Sequence, residues 1–525
     1  MIVVDCARSD KWIGDNRTTF TPHFDRLADE GLSFPTTITE KVVTTPSFVS
    51  LLTGLYSPRH GIHQAFGYRL SRQVPLLSTL LGELGYHRYA EVTGPLLPEM
   101  GLDRGFDKYE YRAPCDYLHT VWGDLFIARL RNGYYREPWF LLLHLWELHI
   151  PSQQVPKSHR SGKELHDYDR SVSSLDAQLG RIFRALDAET FLIITGDHGE
   201  KTEAETYRED TAVGYTCKKL NIERAKGRAL YEIASLTGPS VVQQLYAESV
   251  IPMLKTIDIE ETVERFSYSL KNRLQDYWRL FRLRPKVFWK ALFSMKVPLK
   301  LTAMLRQHNL LDGEVSRKKI DRFLHTVDKE KLIEMQARMF INTYKKSLHR
   351  GHAIHLYDFL VRVPLVLHWK EGLPWRGTHD RMIRLIDVVP TVLDLIGINP
   401  SSFGNIDGRS FKPLIEGISW EPAPAFLSIS GIPPDFIIYG IRTQDFKYTY
   451  GPENPALPEE LYDLHGDPGE TVNLAGEKPE MCERLRRLAE RMVPEGNHKK
   501  GEPLELSNKR RHDIHQSLRG MGYLD

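Results

Sequence analysis

The sequence predicts an α/β fold with a mostly parallel central sheet, and three observations point to it. Short apolar runs alternate with amphipathic helical segments through about residue 200. The runs at Ile2–Val4, Phe140–Leu145 and Phe191–Thr195 read as buried strands, apolar without alternation, as parallel strands covered on both faces are. Asp5 and Asp197 stand just past the first and third of these runs. In open α/β sheets, chemistry collects at the carboxyl ends of strands.

The elements follow in order. Residues 23–31 (HFDRLADEG) and 75–85 (PLLSTLLGELG) carry helical periodicity, and each closes on a glycine. From 201 to 350 the strand signals stop and the pattern is long and helical. Within Lys271–Arg306 there are ten Lys/Arg against one acidic residue, Asp276, interleaved with Tyr277, Trp278, Phe281, Phe288, Trp289 and Phe293. Pro285 and Pro298 interrupt any single long helix there. The β/α rhythm returns at Leu356–His368 and at the helix-like Ile383–Ile396. Ala425–Ile429 and Phe436–Ile441 are strand-like, and a charged helix is expected near 478–493 before a basic tail. The expected organisation is an α/β domain from 1–200 and 351–420, sandwiched by helices, a basic helical insertion at 201–350, and a small C-terminal α+β region at 421–525.

Composition bounds the function. A chain of 525 residues exceeds one small domain, and 41% hydrophobic with 26% charged residues excludes wholesale disorder. Seventy basic residues against 68 acidic ones give a net charge of +2, so nucleic acid is not an expected partner. Four cysteines (Cys6, Cys115, Cys217, Cys482) lack metal or disulfide spacing and read as reduced thiols of a cytoplasmic protein. The N-terminal apolar run is too short for a signal peptide, and no apolar stretch reaches the roughly 18–20 residues of a membrane span. The stretch 271–306 has three readings: a lid with a solvated basic face, a peripheral contact with anionic membrane, or a grip on a polyanionic substrate.

Three clusters carry chemistry: Asp5-Cys-Ala-Arg-Ser-Asp10, Thr44-Thr-Pro-Ser-Phe-Val-Ser-Leu-Leu-Thr-Gly54 and Gly196-Asp-His-Gly-Glu200. Alone, Asp5 and Thr44 read as helix caps and Asp197-His198 as a turn. As an ordered set they resemble the sulfatase branch of the alkaline phosphatase superfamily, whose nucleophile motif reads Cys/Ser-x-Pro-Ser-Arg-x-x-Leu-x-Thr-Gly. Supporting stretches are Thr21–Ala28, similar to "TPNLDRLA", Tyr56–Gly61 ("YPHRHG"), Gly105–Asp107 ("GFD"), Arg362–Leu365 ("RVPLI") and Asp387–Thr391 ("DIVPT"). Glu460–Leu464 with Asp467–Glu470 and Asn473-Leu474 is similar to "ELYDL…DPGE…NL".

The resemblance implies a hydrolase acting on a phosphate or sulfate ester. Asp5, Thr44, Asp197 and His198 would be ligands of one divalent cation (Mn, Zn, Ca or Mg). Thr44 would be the nucleophile, attacking an anionic ester of a small molecule, glycan or lipid. His149, in Trp146-Glu-Leu-His-Ile-Pro151, resembles the anion-binding "DPHxPY" segment. His352 and His355 resemble the stretch that protonates the leaving group. Arg59 and His60 are expected to hold the nucleophile helix, and Asp10 to cap. The departures are as informative. Thr44 cannot become formylglycine, because oxidising a secondary alcohol gives a ketone, and a sulfated threonine lacks the exit that an aldehyde hydrate has. The residue therefore leans toward phosphoryl chemistry. Phe48 stands for the motif's arginine, Cys6 for the second acid after Asp5, and the lysine of "GKWH" has no counterpart in 91–100. Two other readings remain open: a transferase moving a phosphoryl-linked group to a lipid or glycan acceptor, and a non-catalytic binding protein.

Overall fold

The computed structural model describes residues 1–113, 116–149, 164, 166–202, 355–430, 437–452, 457–493, 501–504, 506–507 and 514. His352, the stretch 271–306 and all but the first two residues of the expected insertion lie outside them. All described residues belong to one unit, formed by residues 1–224 and 349–525.

Nine described strands build the central sheet. In spatial order they are Ile383–Arg384, Leu32–Ile38, Arg362–His368, Leu192–Gly196, Ile2–Val4, Trp139–Leu145, His87–Val92 and Lys108–Tyr111, with Gly377–Thr378 also beside Leu32–Ile38. Every described pair is parallel except the two made by Arg362–His368, which runs against both neighbours. The segment Ile383–Ile396 differs from expectation at its start: Ile383–Arg384 is a strand, and the helix begins at Val388.

Alternation along the strands sorts two cores. Val3, Leu142 and Ile193 face one side, against Phe48, Val49 and Leu52 of helix Thr44–Thr53 and Val389 and Leu393 of helix Val388–Leu395. Ile2, Val4, Leu143 and Ile194 face the other, against Leu27 of helix Pro22–Glu30, Phe126 of helix Val121–Arg131 and Leu175 of helix Asp167–Phe183. The glycine ending helix Pro22–Glu30 acts differently from expectation. Gly31 is extended, not left-handed, and a Cβ there would strike the backbone oxygen of Leu367. Close packing of the helix end on the sheet requires it.

A second, antiparallel sheet orders Ala425–Ser430, Ile437–Arg442, Phe446–Tyr450 and Glu460–Asp463. Helix Pro479–Met492 covers it through Cys482, Leu485 and Ala489, so this end of the chain is α+β. Two buried polar knots tie it to the larger sheet. The Glu40 carboxylate accepts from Ser50 Oγ (3.2 Å), Ser57 N (2.7 Å), Ser57 Oγ and Ser428 Oγ (3.1 Å), joining helix Thr44–Thr53 to strand Ala425–Ser430. In the other, Asp358 accepts from Lys447 Nζ (3.1 Å) and Arg442 Nη2 (3.2 Å), and Glu470 Oε2 accepts the Asp358 N–H (2.6 Å).

Glu40→Ala strands four hydroxyl and amide donors in a dry interior, so it should lower unfolding free energy by roughly 2–4 kcal/mol, measured by denaturant titration. Burial alone would raise the Asp358 carboxyl, but Lys447, Arg442 and Arg362 outweigh it and hold the group well below the carboxylate range. A lowered folded value stabilises fully above the unfolded value of about 3.9, and that gain is lost as pH falls through the folded value. The stability difference between the wild-type protein and Asp358→Asn should therefore be full at pH 7 and narrow below about pH 4. A difference constant to pH 2 would contradict this assignment.

Candidate metal centre

Register decides what meets at the carboxyl edge. Val4 lies level with Leu145 on one side and Gly196 on the other, so Asp5 and Asp197 emerge from adjacent strand ends. Cys6 follows with φ 58°, the left-handed region that a non-glycine residue rarely enters. That turn brings the Cys6 N–H onto Asp197 Oδ1 (3.2 Å), which also accepts the His198 N–H (2.8 Å). Gly199 lets the Asp197–His198 turn press on residues 359–360. Its N–H donates to the Leu360 carbonyl (2.7 Å), and a Cβ would collide with the Phe359 carbonyl.

Thr44 is the first residue of helix Thr44–Thr53, entered from extended Val43. Its Oγ1 donates to Asp5 Oδ2 (3.0 Å) and lies 3.3 Å from His198 Nε2. His198 Nδ1 is 2.9 Å from the Gly199 carbonyl, which can only accept, so Nδ1 carries hydrogen and Nε2 of the neutral ring is a donor of electron pairs. His198 Nε2 is also 3.5 Å from Asp197 Oδ2. The four expected ligands are thus brought together, all fully buried.

The sequence reading missed a fifth group. His144, in strand Trp139–Leu145, puts Nε2 3.4 Å from Asp5 Oδ2. Its Nδ1 is held by the Thr93 carbonyl at 3.1 Å. The signal was visible: a lone histidine inside Phe-Leu-Leu-Leu-His-Leu. Phe48, in the place of the motif's arginine, sets its ring edge-on to His144 with centroids 4.9 Å apart. An apolar contact therefore replaces a charge. Glu40 was missed as well, because its role exists only through the tertiary contacts of Ser57 and Ser428.

Other expected residues are placed as follows. His149 stacks on Trp146 at 4.0 Å, within electrostatic range of Asp5. His355 is drawn to Glu460, with Nε2 2.8 Å from Oε2, and stacks on Tyr357 at 3.7 Å. Its described contacts are with Glu460 of the C-terminal sheet and with Tyr357. Asp10 pairs with Arg8 at 2.8 Å. Arg59 pairs with Asp407 at 2.6 Å, and His60 Nε2 meets Ser50 Oγ at 3.1 Å, so His60 braces the helix that carries Thr44.

Burial shifts the acids. For Asp5 it pushes upward, but His144 and the imidazoles of His149 and His198 outweigh it and hold the group below the carboxylate range. Asp197 is pushed up to about 6 by burial, moderated by His198 and reinforced by the Asp5 charge. Burial and the neighbouring Asp5, Glu200 and Asp197 charges push the Cys6 thiol well above its ordinary value, and its Sγ donates to Glu200 Oε2 (3.5 Å).

Do these residues fit a cation? Asp5 Oδ1, Asp197 Oδ2 and His144 Nε2 are buried without hydrogen-bond partners. Ligand atoms of Asp5, His144 and Asp197 all lie within 4.8 Å of one another, as do those of Asp5, Cys6 and His198. A buried carboxylate oxygen without a partner is costly, and carboxylate with imidazole is a divalent-metal donor set. The residues fit.

Comparison with known proteins gives the family. A model described as Sulfatase matches residues 1–232, and one described as N-sulphoglucosamine sulphohydrolase, C-terminal, matches residues 353–497. The chain belongs to the sulfatase branch of the alkaline phosphatase superfamily. Arylsulfatase K of Danio rerio is 32% identical over 166 residues, 31% of this chain and 29% of that protein. N-acetylglucosamine-6-O-sulfatase of Bacteroides thetaiotaomicron is 23% identical over 496 residues, 89% of this chain and 80% of that one. A solved 2-O GAG sulfatase superposes with TM-score 0.54 at 14% identity, covering 94% of this chain and 90% of that one. The phosphonate monoester hydrolase of Agrobacterium radiobacter gives 0.54 at 15%, covering 94% and 95%. At these identities the superpositions speak for the fold. Metal dependence is general in the family.

A divalent cation should raise the thermal midpoint of this sulfatase-like protein, since a ligand of the native state at 100 times its Kd adds about 2.7 kcal/mol. Asp5→Asn and Asp197→Asn should abolish that rise. Equal stabilisation of all three proteins in a calorimetric scan would remove the centre.

Proposed function

We propose that the protein is a metal-dependent ester hydrolase in which Thr44 attacks the phosphorus of an anionic ester carried by a glycan or small molecule. One observation carries this reading: Thr44 Oγ1 lies 3.0 Å from Asp5 Oδ2 and 3.3 Å from His198 Nε2 at the start of a ten-residue helix. The names of the relatives, such as N-acetylglucosamine-6-O-sulfatase and choline-sulfatase, support a glycan or small molecule and favour sulfate as the ester. Threonine favours phosphate, for the chemical reason that no aldehyde hydrate can form on it.

When bound, a divalent cation supplies positive charge that stabilises an anionic ester and a deprotonated hydroxyl. Asp5, Asp197 and His198 would hold it. The remaining work falls to the chain. The hydrogen bond to Asp5 aims Thr44 Oγ1, and the helix N-terminus adds positive potential where the anion sits. Attack forms the Oγ–P bond and breaks the bond from phosphorus to the leaving oxygen, which takes up a proton. Water then cleaves the phosphothreonine and restores the hydroxyl. His352 and His355 are the histidines that the family resemblance assigns to giving that proton, and His149 the one it assigns to binding the transferred anion.

Aryl phosphate, phosphodiester, phosphonate and sulfate esters should be compared with metal-loaded protein. Phosphorus esters should turn over faster than sulfate, and Thr44→Ala should lower kcat/KM by about 10³-fold or more while Thr44→Ser retains activity. Turnover indifferent to Thr44→Ala would eliminate it as nucleophile, and sulfate as the fastest substrate would reverse the phosphoryl assignment.

A further inference from the structure

We infer that His144 is a direct ligand of the cation, giving the centre a second imidazole and a preference for a borderline transition cation of the zinc type over calcium. This rests on the metal-dependent reading above and deepens it.

His144 is fully buried in a central strand, where a polar side chain is costly unless it is satisfied. One ring nitrogen is satisfied: Nδ1 lies 3.1 Å from the Thr93 carbonyl, which must accept, so Nδ1 bears hydrogen. A carbonyl on the far nitrogen is the arrangement that orients metal-binding imidazoles. Nε2 then offers an electron pair, has no hydrogen-bond partner, and faces the centre. It is 3.4 Å from Asp5 Oδ2. Thr44 to Asp5 is 3.0 Å, Thr44 to His198 is 3.3 Å, and His198 to Asp197 is 3.5 Å. Such separations are those of neighbouring ligands about 2–2.4 Å from a shared ion.

The competing role is a protonated His144 balancing Asp5. At 3.4 Å the contact is long for a charge-assisted hydrogen bond, and a buried ion pair repays desolvation only when geometry is good. The neighbours agree with a ligand. Phe48 packs an apolar ring on His144, so no fixed cation competes for the site from that side. Cys6 stands where a further carboxylate is expected, so a nitrogen from His144 completes a donor set otherwise short by one. Calcium takes oxygen donors, whereas two imidazoles with carboxylates suit zinc-type ions.

The two roles predict effects of opposite sign. Removing a ligand weakens zinc binding and leaves calcium binding almost unchanged. Removing a positive counter-charge beside two carboxylates strengthens binding of both. Full-length protein, His144→Gln and His144→Asn would be titrated with zinc and with calcium against a competing chelator, with far-UV circular dichroism to verify folding. Zinc affinity should fall by about 100-fold or more in both variants, since loss of an outer partner alone costs 10–100-fold. Calcium affinity should move less than about threefold. X-ray absorption of the zinc-loaded protein should count two imidazoles in the wild type and one in a variant. The wild-type count decides the matter if neither variant folds. Zinc affinity that is unchanged or raised, or a single imidazole in the wild-type protein, overturns the assignment. Wild-type protein that takes up neither ion overturns the metal-dependent function and this inference with it. Binding lost in Asp5→Asn yet intact in His144→Gln overturns only this one.

Discussion

Parallel pairing of the first strand with its two neighbours is the constraint on which the rest depends. Ile2 pairs with Leu143 and with Ile194, and the register holds to Val4, Leu145 and Gly196. Because the three strands end level, their next residues leave the sheet at one edge. A slip of one residue would turn every side chain to the opposite face. Val3 and His144 would then point at the wrong core, and Asp5 would no longer meet Thr44. The long-range sequence pairing of Asp5, Thr44, His144 and Asp197 is therefore a by-product of three apolar strands burying both faces.

The helix carrying Thr44 is fixed with comparable care. Its apolar side packs Phe48, Val49 and Leu52 on the sheet, while Ser47 Oγ donates to the Asp197 carbonyl (2.6 Å). Glu40 and His60 hold Ser50 from the opposite direction. Glu40 stays buried despite the penalty for a carboxylate because four donors converge on it, and Lys41 beside it is pulled down to about 8 by burial, opposed by the Glu40 charge. Packing of this kind fixes where the Thr44 hydroxyl stands relative to Asp5 and His198. It also explains why the motif around Thr44 is rich in small hydroxyl residues: each has a backbone or carboxylate partner in the packed interior.

Much of the fold was legible in the sequence, for local reasons. Apolar runs of strand length, separated by helices with period 3.6, announce a parallel sheet, and the strands at 2–4, 139–145 and 192–196 fall within a residue of expectation. The helices at 22–30 and 479–492 do likewise. Asp5, Thr44, Asp197 and His198 were legible through an ordered set of motifs. His355 was legible only as a candidate leaving-group acid; its partner Glu460 lies in the C-terminal sheet, and nothing local announces that pairing. Gly31 was read as a cap when its requirement is a close approach to Leu367.

What the sequence by itself determined is the alternation of strand and helix, the family, and the identity of four polar groups that end apolar runs or begin a helix. These are set by periodicity and by residue type, which need no knowledge of distant contacts. Only the tertiary structure decided that His144 belongs with them, that Phe48 seals its flank, and that Glu40 locks the Thr44 helix to the C-terminal sheet. Those roles depend on which face of a strand meets which helix, and that is fixed by strand register and packing across more than a hundred residues of intervening chain.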